Sequence, residues 1–244
     1  MPQIADISKA LKALFWPQRC MFCSELIFDS PRLTCKRCEK SIPFVTGKIC
    51  KMCGCEKSLC SCSGRVMYYD SVAAPFYYEG GAKKCITAFK FRSKKLYAGA
   101  IAEYLYDELA TFYKDERFDF IACVPLHKKD KRRRGFNQSE MIAKCLSDKT
   151  GIPFRPDLIT KLYRTDGQAS QHMINRSGNV FGAYGVKEGE DLTSCSVLLI
   201  DDIKTTGSTL SECGKMLYLA GAQRVCCLCF CVSKLRKKEK EKGR

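Results

Sequence analysis

Two adjacent carboxylates stand between an apolar tetrad and a run of hydroxyls. The order is Val197-Leu198-Leu199-Ile200, then Asp201-Asp202, then Ile203-Lys204-Thr205-Thr206-Gly207-Ser208-Thr209-Leu210. Residues 194–200 read as a buried strand and 208–220 as a helix. Acids at the carboxyl end of such a strand face the crevice where open α/β sheets take their ligands. The loop behind them offers backbone N–H groups, three threonines, one serine and a helix start, which together make an anion cradle. A sugar phosphate suits both halves, with its hydroxyls on Asp201 and Asp202 and its phosphate in the loop 205–209. Neither GxxxxGK[ST] nor GxGxxG occurs, so neither a P-loop nor a dinucleotide fingerprint is present.

Cysteines carry the second chemistry. The chain has 18 of them beside 2 histidines, and nine lie in the first 62 residues. Cys20-x2-Cys23-x11-Cys35-x2-Cys38 has the spacing of a four-thiolate zinc ribbon, each knuckle giving two ligands from a tight turn. Cys50-x2-Cys53-x6-Cys60-x-Cys62 follows as a second set, in which Cys55, Cys60 and Cys62 compete for two ligand places. An all-sulfur donor set leaves no position for water, which marks structural rather than catalytic zinc. The other nine, at 85, 123, 145, 195, 213, 226, 227, 229 and 231, are expected to be small buried hydrophobes.

Positioning these groups requires a regular frame. From residue 66 the chain alternates β and α patterns. Residues 66–78 are strand-rich; 82–92 and 96–112 are helical; 118–125 is a strand, 137–146 a helix, and 224–232 a last strand. That alternation implies an α/β fold with a parallel sheet flanked by helices. The expected organisation is residues 1–65 as a helix (3–16) plus a double zinc-ribbon module, 66–233 as the α/β domain, and 234–244 as a disordered basic tail. The module is too small to hold itself together without metal.

Composition and charge narrow the class. The chain of 244 residues is 45% hydrophobic and carries a formal charge of +16. Residues 1–65 contribute +6 and 234–244 contribute +5; 66–233 contribute +5, all of it from the segment Lys128 to Arg134 (KKDKRRR). Two filled tetrathiolate sites would lower the total to about +12. Such a balance suits phosphates or nucleic acid. The longest apolar run has 8 residues, short of the ~20 a membrane helix needs. The opening residues lack a basic region followed by an apolar one. A cytoplasmic protein without membrane insertion is therefore expected, its cysteines in reducing surroundings.

The stretch 197–209 resembles the PRPP-binding motif of type I phosphoribosyltransferases: four apolar residues, two acids and a TTG-type loop over 13 positions. Val124-Pro125-Leu126-His127, the basic run and Arg134-Gly135-Phe136-Asn137-Gln138 look like the VPLH…RGFNQ stretch of the ComF family. So do Lys90-Phe91-Arg92 and, before Phe181, Thr165, Gln168, Arg176 and Asn179. The zinc ribbon matches that family's plan, and the resemblance runs from Pro17 to about Val232. Departures are Lys204, where an apolar or hydroxyl residue is usual, Gln171, where Leu is usual, and the closing C-x-C.

The resemblance implies a type I phosphoribosyltransferase fold behind a zinc ribbon. It gives Asp201 and Asp202 to the ribose hydroxyls, and Thr205, Thr206, Gly207, Ser208 and Thr209 to the 5′-phosphate. Pro125, Leu126 and His127 would form the pyrophosphate loop, with Arg134 among the basic donors of a flexible segment closing over it; Mg²⁺ would accompany PRPP. The family is associated with natural competence, so single-stranded DNA is an implied partner, contacted by basic residues and stacked on Tyr77, Tyr78, Phe91 or Phe136. The alternative is a working PRPP-dependent transferase acting on a base or amine. A third reading is an adaptor whose ribbon docks on a helicase or translocation protein.

Overall fold

The computed structural model describes residues 17–28, 30–60, 62, 65–91, 96–163 and 182–234. The expected helix 3–16, the positions Arg92, Thr165, Gln168, Gln171, Arg176 and Asn179, and the tail 235–244 lie outside them.

The cysteine-rich part is built of two compact turns. Strands β1 (Gln18–Arg19) and β2 (Leu26–Ile27) pair antiparallel and hold the Cys20–Cys23 knuckle between them. Helix α1 (Lys36–Ser41) begins at Cys35, whose sulfur accepts the Cys38 N–H at 3.4 Å. The second unit turns at Gly54, where φ is +71°, a left-handed value that favours glycine. A Cβ there would stand 3.0 Å from Val232 Cγ1 and 3.3 Å from the Val72 carbonyl, so the knuckle lies directly against the sheet.

The α/β part follows. Strands β3 (Ser71–Ala73) and β4 (Phe76–Tyr77) lead into α2 (Gly80–Phe91) and α3 (Leu96–Phe112), then β5 (Phe120–Cys123). Next come α4 (Lys128–Arg134), α5 (Gln138–Thr150), and a small antiparallel pair, β6 (Ile159–Lys161) with β7 (Tyr184–Val186). Strand β8 (Ser196–Lys204), helix α6 (Ser208–Leu219) and β9 (Arg224–Val232) complete the order. The main sheet runs β3-β9-β8-β5, every pair parallel, with β4 beside the far end of β9. This is the helix-flanked parallel sheet that the alternating pattern predicts.

Strand alternation divides the core. Ile121, Leu198, Ile200, Cys226, Leu228 and Phe230 pack with α2, α3 and α5. Their neighbours Phe120, Ala122, Val197, Leu199, Val225 and Cys227 pack with α6 and the β6–β7 pair. A strand covered on both faces reads as one apolar run, which is why 224–232 shows no polar alternation. Of the nine cysteines outside the clusters, seven are buried, while Cys145 and Cys195 are half-buried against the core.

The cysteine units share this core. Phe22 lies 5.7 Å from Phe76 and 6.4 Å from Phe230, ring centre to ring centre. Backbone hydrogen bonds also join the parts: Val72 N–H to Lys51 at 2.7 Å, Val45 N–H to Pro75 at 2.9 Å, and Tyr77 N–H to Pro43 at 2.8 Å.

Two expectations change. Strand β8 runs to Lys204 instead of ending at 200, because Asp201, Ile203 and Lys204 keep pairing with Cys229, Cys231 and Val232 of β9. The basic segment 128–134, expected as a loop, is a helix, α4. His127 Nδ1 accepts the Lys129 N–H at 3.3 Å to cap it, and Gly135 ends it at φ +81°.

Candidate functional site

β5 ends beside Ile200 of β8, and the site lies where β8 continues past it. Cys123 pairs with Ile200, and the Val124 N–H donates to the Ile200 carbonyl at 3.0 Å. Residues 125–127 therefore leave the sheet beside Asp201. Pro125, Leu126 and His127 are half-buried there, and Arg134 is half-buried in the last turn of α4.

Both acids are buried, Asp201 at 9% and Asp202 at 7% exposure. Asp201 Oδ1 accepts from Ser139 Oγ at 2.8 Å and from the Asp202 N–H at 2.9 Å. Burial, with the Asp202 carboxylate beside it, pushes Asp201 from its ordinary 3.8 up to about 7. Asp202 Oδ2 meets Lys90 Nζ of α2 at 2.7 Å. A cation already committed to one acid, and a hydroxyl committed to the other, hold the pair ready for a neutral polyol or a cation-bearing ligand.

Sequence reading missed the part of Ser139 and the pairing of Lys90. Asn137 explains Ser139: its Oδ1 accepts the Ser139 N–H at 3.1 Å and its Nδ2 donates to the Val124 carbonyl at 3.0 Å. One side chain thus caps α5, ties it to the strand end and aims Ser139 at Asp201. An Asn before a helical run is a capping sign. The Lys90-Phe91-Arg92 stretch marks Lys90 without giving its partner, which lies more than a hundred residues away.

The loop after β8 is open. Thr205, Thr206, Ser208 and Thr209 are exposed, while Gly207 is buried with φ +86° at the start of α6. Thr206 Oγ1 lies 2.9 Å from Ser208 Oγ and accepts the Ser208 N–H at 3.3 Å. Four exposed hydroxyl residues thus surround the start of α6, where a helix N-terminus favours an anion.

The cysteines gather as two tetrads, Cys20–Cys23–Cys35–Cys38 and Cys50–Cys53–Cys60–Cys62, each with its sulfurs within 4.8 Å of one another. Tetrahedral zinc with Zn–S of about 2.3 Å requires sulfurs about 3.8 Å apart. Cys23 and Cys35 are 3.7 Å apart, Cys50 and Cys62 3.6 Å, and Cys60 lies 3.4 Å from Cys50 and 3.1 Å from Cys62. Both sets could therefore hold a metal ion, and the fit favours a small tetrahedral one. Cys55 loses the competition for the second site, its sulfur turning to the carbonyls of Cys53 and Ser233 at 3.9 and 3.7 Å.

Two of the aromatics expected to stack bases are unavailable. Tyr77 and Phe136 are buried in the core at 5% and 7% exposure. Tyr78 is half-buried, with Lys83 Nζ 5.9 Å from its ring centre. Among the described residues no helix is long and apolar enough to cross a membrane.

A mixed α/β protein with a buried acid pair in β8 and two cysteine tetrads is the class that this geometry defines. No family model matches the chain. It is similar to "Competence protein F" of Haemophilus influenzae, 24% identical over 86% of this chain and 95% of that protein. It is similar also to "Competence protein ComFC" of Bacillus subtilis, 26% identical over 77% of this chain and 78% of the relative. Among solved structures it matches the glutamine PRPP amidotransferase of B. subtilis at a TM-score of 0.37 and 20% identity, over 59% of this chain and 30% of that one.

Proposed function

We propose that the chain binds a ribose 5-phosphate or PRPP-type ligand across the end of β8 and serves DNA uptake by handling single-stranded DNA in the cytoplasm. The observation that carries the first half is the buried Asp201–Asp202 pair, which stands on β8 separated by two residues from the exposed hydroxyls and the helix start at 205–209. Ribose hydroxyls would bridge to the free oxygens of the acids, and the 5′-phosphate would sit on the amides and hydroxyls of the loop. The turn 125–127, leaving β5 beside Asp201, would carry the pyrophosphate, with Arg134 behind it. Mg²⁺ arriving with PRPP would neutralise the diphosphate oxygens. Zinc would fill both tetrads as a structural ion.

DNA handling rests on charge and on the relatives' competence names. Helix α4 exposes Lys128, Lys129 and Arg132 next to the proposed site. Contacts of that kind make affinity fall with salt. Replacing all three by Ala should flatten the log–log salt slope for oligonucleotide binding by about 2, from roughly 0.7 per phosphate contact. An unchanged slope would remove α4 from the DNA surface. Transfer chemistry is the alternative function, and it requires pyrophosphate release that depends on both Asp201 and Asp202 and on an added acceptor base.

A further inference from the structure

Lys204 has no part in the sugar-phosphate reading, although it lies between the acids and the loop. It is 1% exposed and among the largest fully buried side chains. A buried ammonium is costly unless opposite charge or hydrogen bonds balance it. Lys90 already occupies Asp202, and Ser139 occupies Asp201.

Two structures enclose Lys204. On one side is the phosphate loop: a Cβ at Gly207 would stand 3.2 Å from Lys204 Cε, 3.0 Å from the Tyr69 hydroxyl and 3.3 Å from Met67 Cε. On the other is the second cysteine unit. The Tyr69 hydroxyl donates to the carbonyl of Met52 at 2.8 Å, inside the Cys50–Cys53 knuckle. The Lys204 carbonyl accepts the Ser233 N–H at 2.9 Å, and the Ser233 carbonyl faces Cys55 Sγ at 3.7 Å. Val232, the partner of Lys204 across the sheet, touches the position of Gly54.

We infer that Lys204 is a positioning residue that joins the second metal centre to the phosphate loop, its ammonium balancing the tetrathiolate–metal unit while its stem forms the floor beneath Gly207. Four thiolates around a divalent ion leave a net −2, which an ammonium in the neighbouring wall would offset. Outer groups that orient or balance metal ligands contribute roughly 10–100-fold to metal affinity. The loop half of the inference rests on the sugar-phosphate reading above; the metal half does not.

The experiment uses the zinc-loaded full chain and a chromophoric chelator, with no sugar phosphate present. Cys62→Ser identifies which release phase belongs to the second tetrad. Lys204→Met should accelerate that phase by roughly 10–100-fold and leave the Cys20–Cys38 phase at the wild-type rate. Tyr69→Phe, which keeps the ring and loses the bond to Met52, should shift the same phase in the same direction. Unchanged release in Lys204→Met, or equal acceleration of both phases, would overturn the metal coupling. A second arm titrates ribose 5-phosphate into wild type and Lys204→Ala, which removes the stem, with affinity expected to fall at least tenfold in that variant. Equal affinity overturns the loop half; no binding to wild type rejects the sugar-phosphate reading and the loop half together, while the zinc arm still decides the metal half.

Discussion

Asp201 carries the sharpest conflict between stability and function. Its folded carboxyl titrates near 7 against an ordinary 3.8, so the folded chain holds an extra proton between those values. A raised carboxyl of this kind stabilises fully below the unfolded value, and that stability is lost as pH rises through the folded one. Glu108, raised by burial to about 7, acts with the same sign. Asp201→Asn keeps an acceptor for Ser139 and removes the buried charge. It should raise stability by about 1–2 kcal/mol near pH 8 and weaken the decline of Tm between about pH 4 and pH 7, with Glu108 supplying the remainder. Thermal melts across that range check this, and a variant less stable than wild type near pH 8 contradicts it. The two acids and the hydroxyl loop are legible from residue order alone, since chemistry and spacing coincide there. Ser139 and Lys90 are not, because each meets its acid only through the packing of α5 and α2 on the sheet.

At the scale of elements, the hinge of the architecture is where residues 67–70 cross α6. The Tyr68 N–H donates to Ser211 Oγ at 3.0 Å, and a Cβ on Gly214 would stand 1.8 Å from the Tyr68 carbonyl oxygen. No backbone can absorb that contact without moving, so Gly214→Ala should destabilise by about 2–4 kcal/mol, read as a lowered urea midpoint. A midpoint within error of wild type would show the crossing to be loose. The order of the main-sheet strands and the longer helices followed from periodicity, while the β6–β7 pair, helix α4 and the carboxyl ends of α5 and β8 did not. β8 extends through the acids because β9 is long enough to pair with it, a condition set outside the local sequence. Helix α4 has His127 before it and Gly135 after it as cap and stop, but it lacks the apolar stripe that marks a packed helix; it packs few residues and exposes charge. The choice between Cys55 and the pair Cys60–Cys62 was likewise undecided by spacing, because only the sheet shows that Cys55 faces Ser233.

The whole molecule binds its cysteine units into the α/β core. Cys20, Met21 and Phe22 belong to one apolar cluster and Cys53 and Cys55 to the other. Metal removal should therefore unfold the sheet as well as the ribbons. Excess chelator should lower the midpoint of the single far-UV thermal transition, whereas a transition that keeps its midpoint after complete zinc release would show an α/β part that stands alone. The central claim concerns the strand end that this assembly supports. The most direct test is calorimetric titration of the zinc-loaded chain with PRPP and Mg²⁺, beside the Asp201→Asn/Asp202→Asn double variant. The account predicts saturable binding by the wild-type chain and its loss in the double variant while the fold persists. No heat at millimolar PRPP, or equal binding by both proteins, would contradict it.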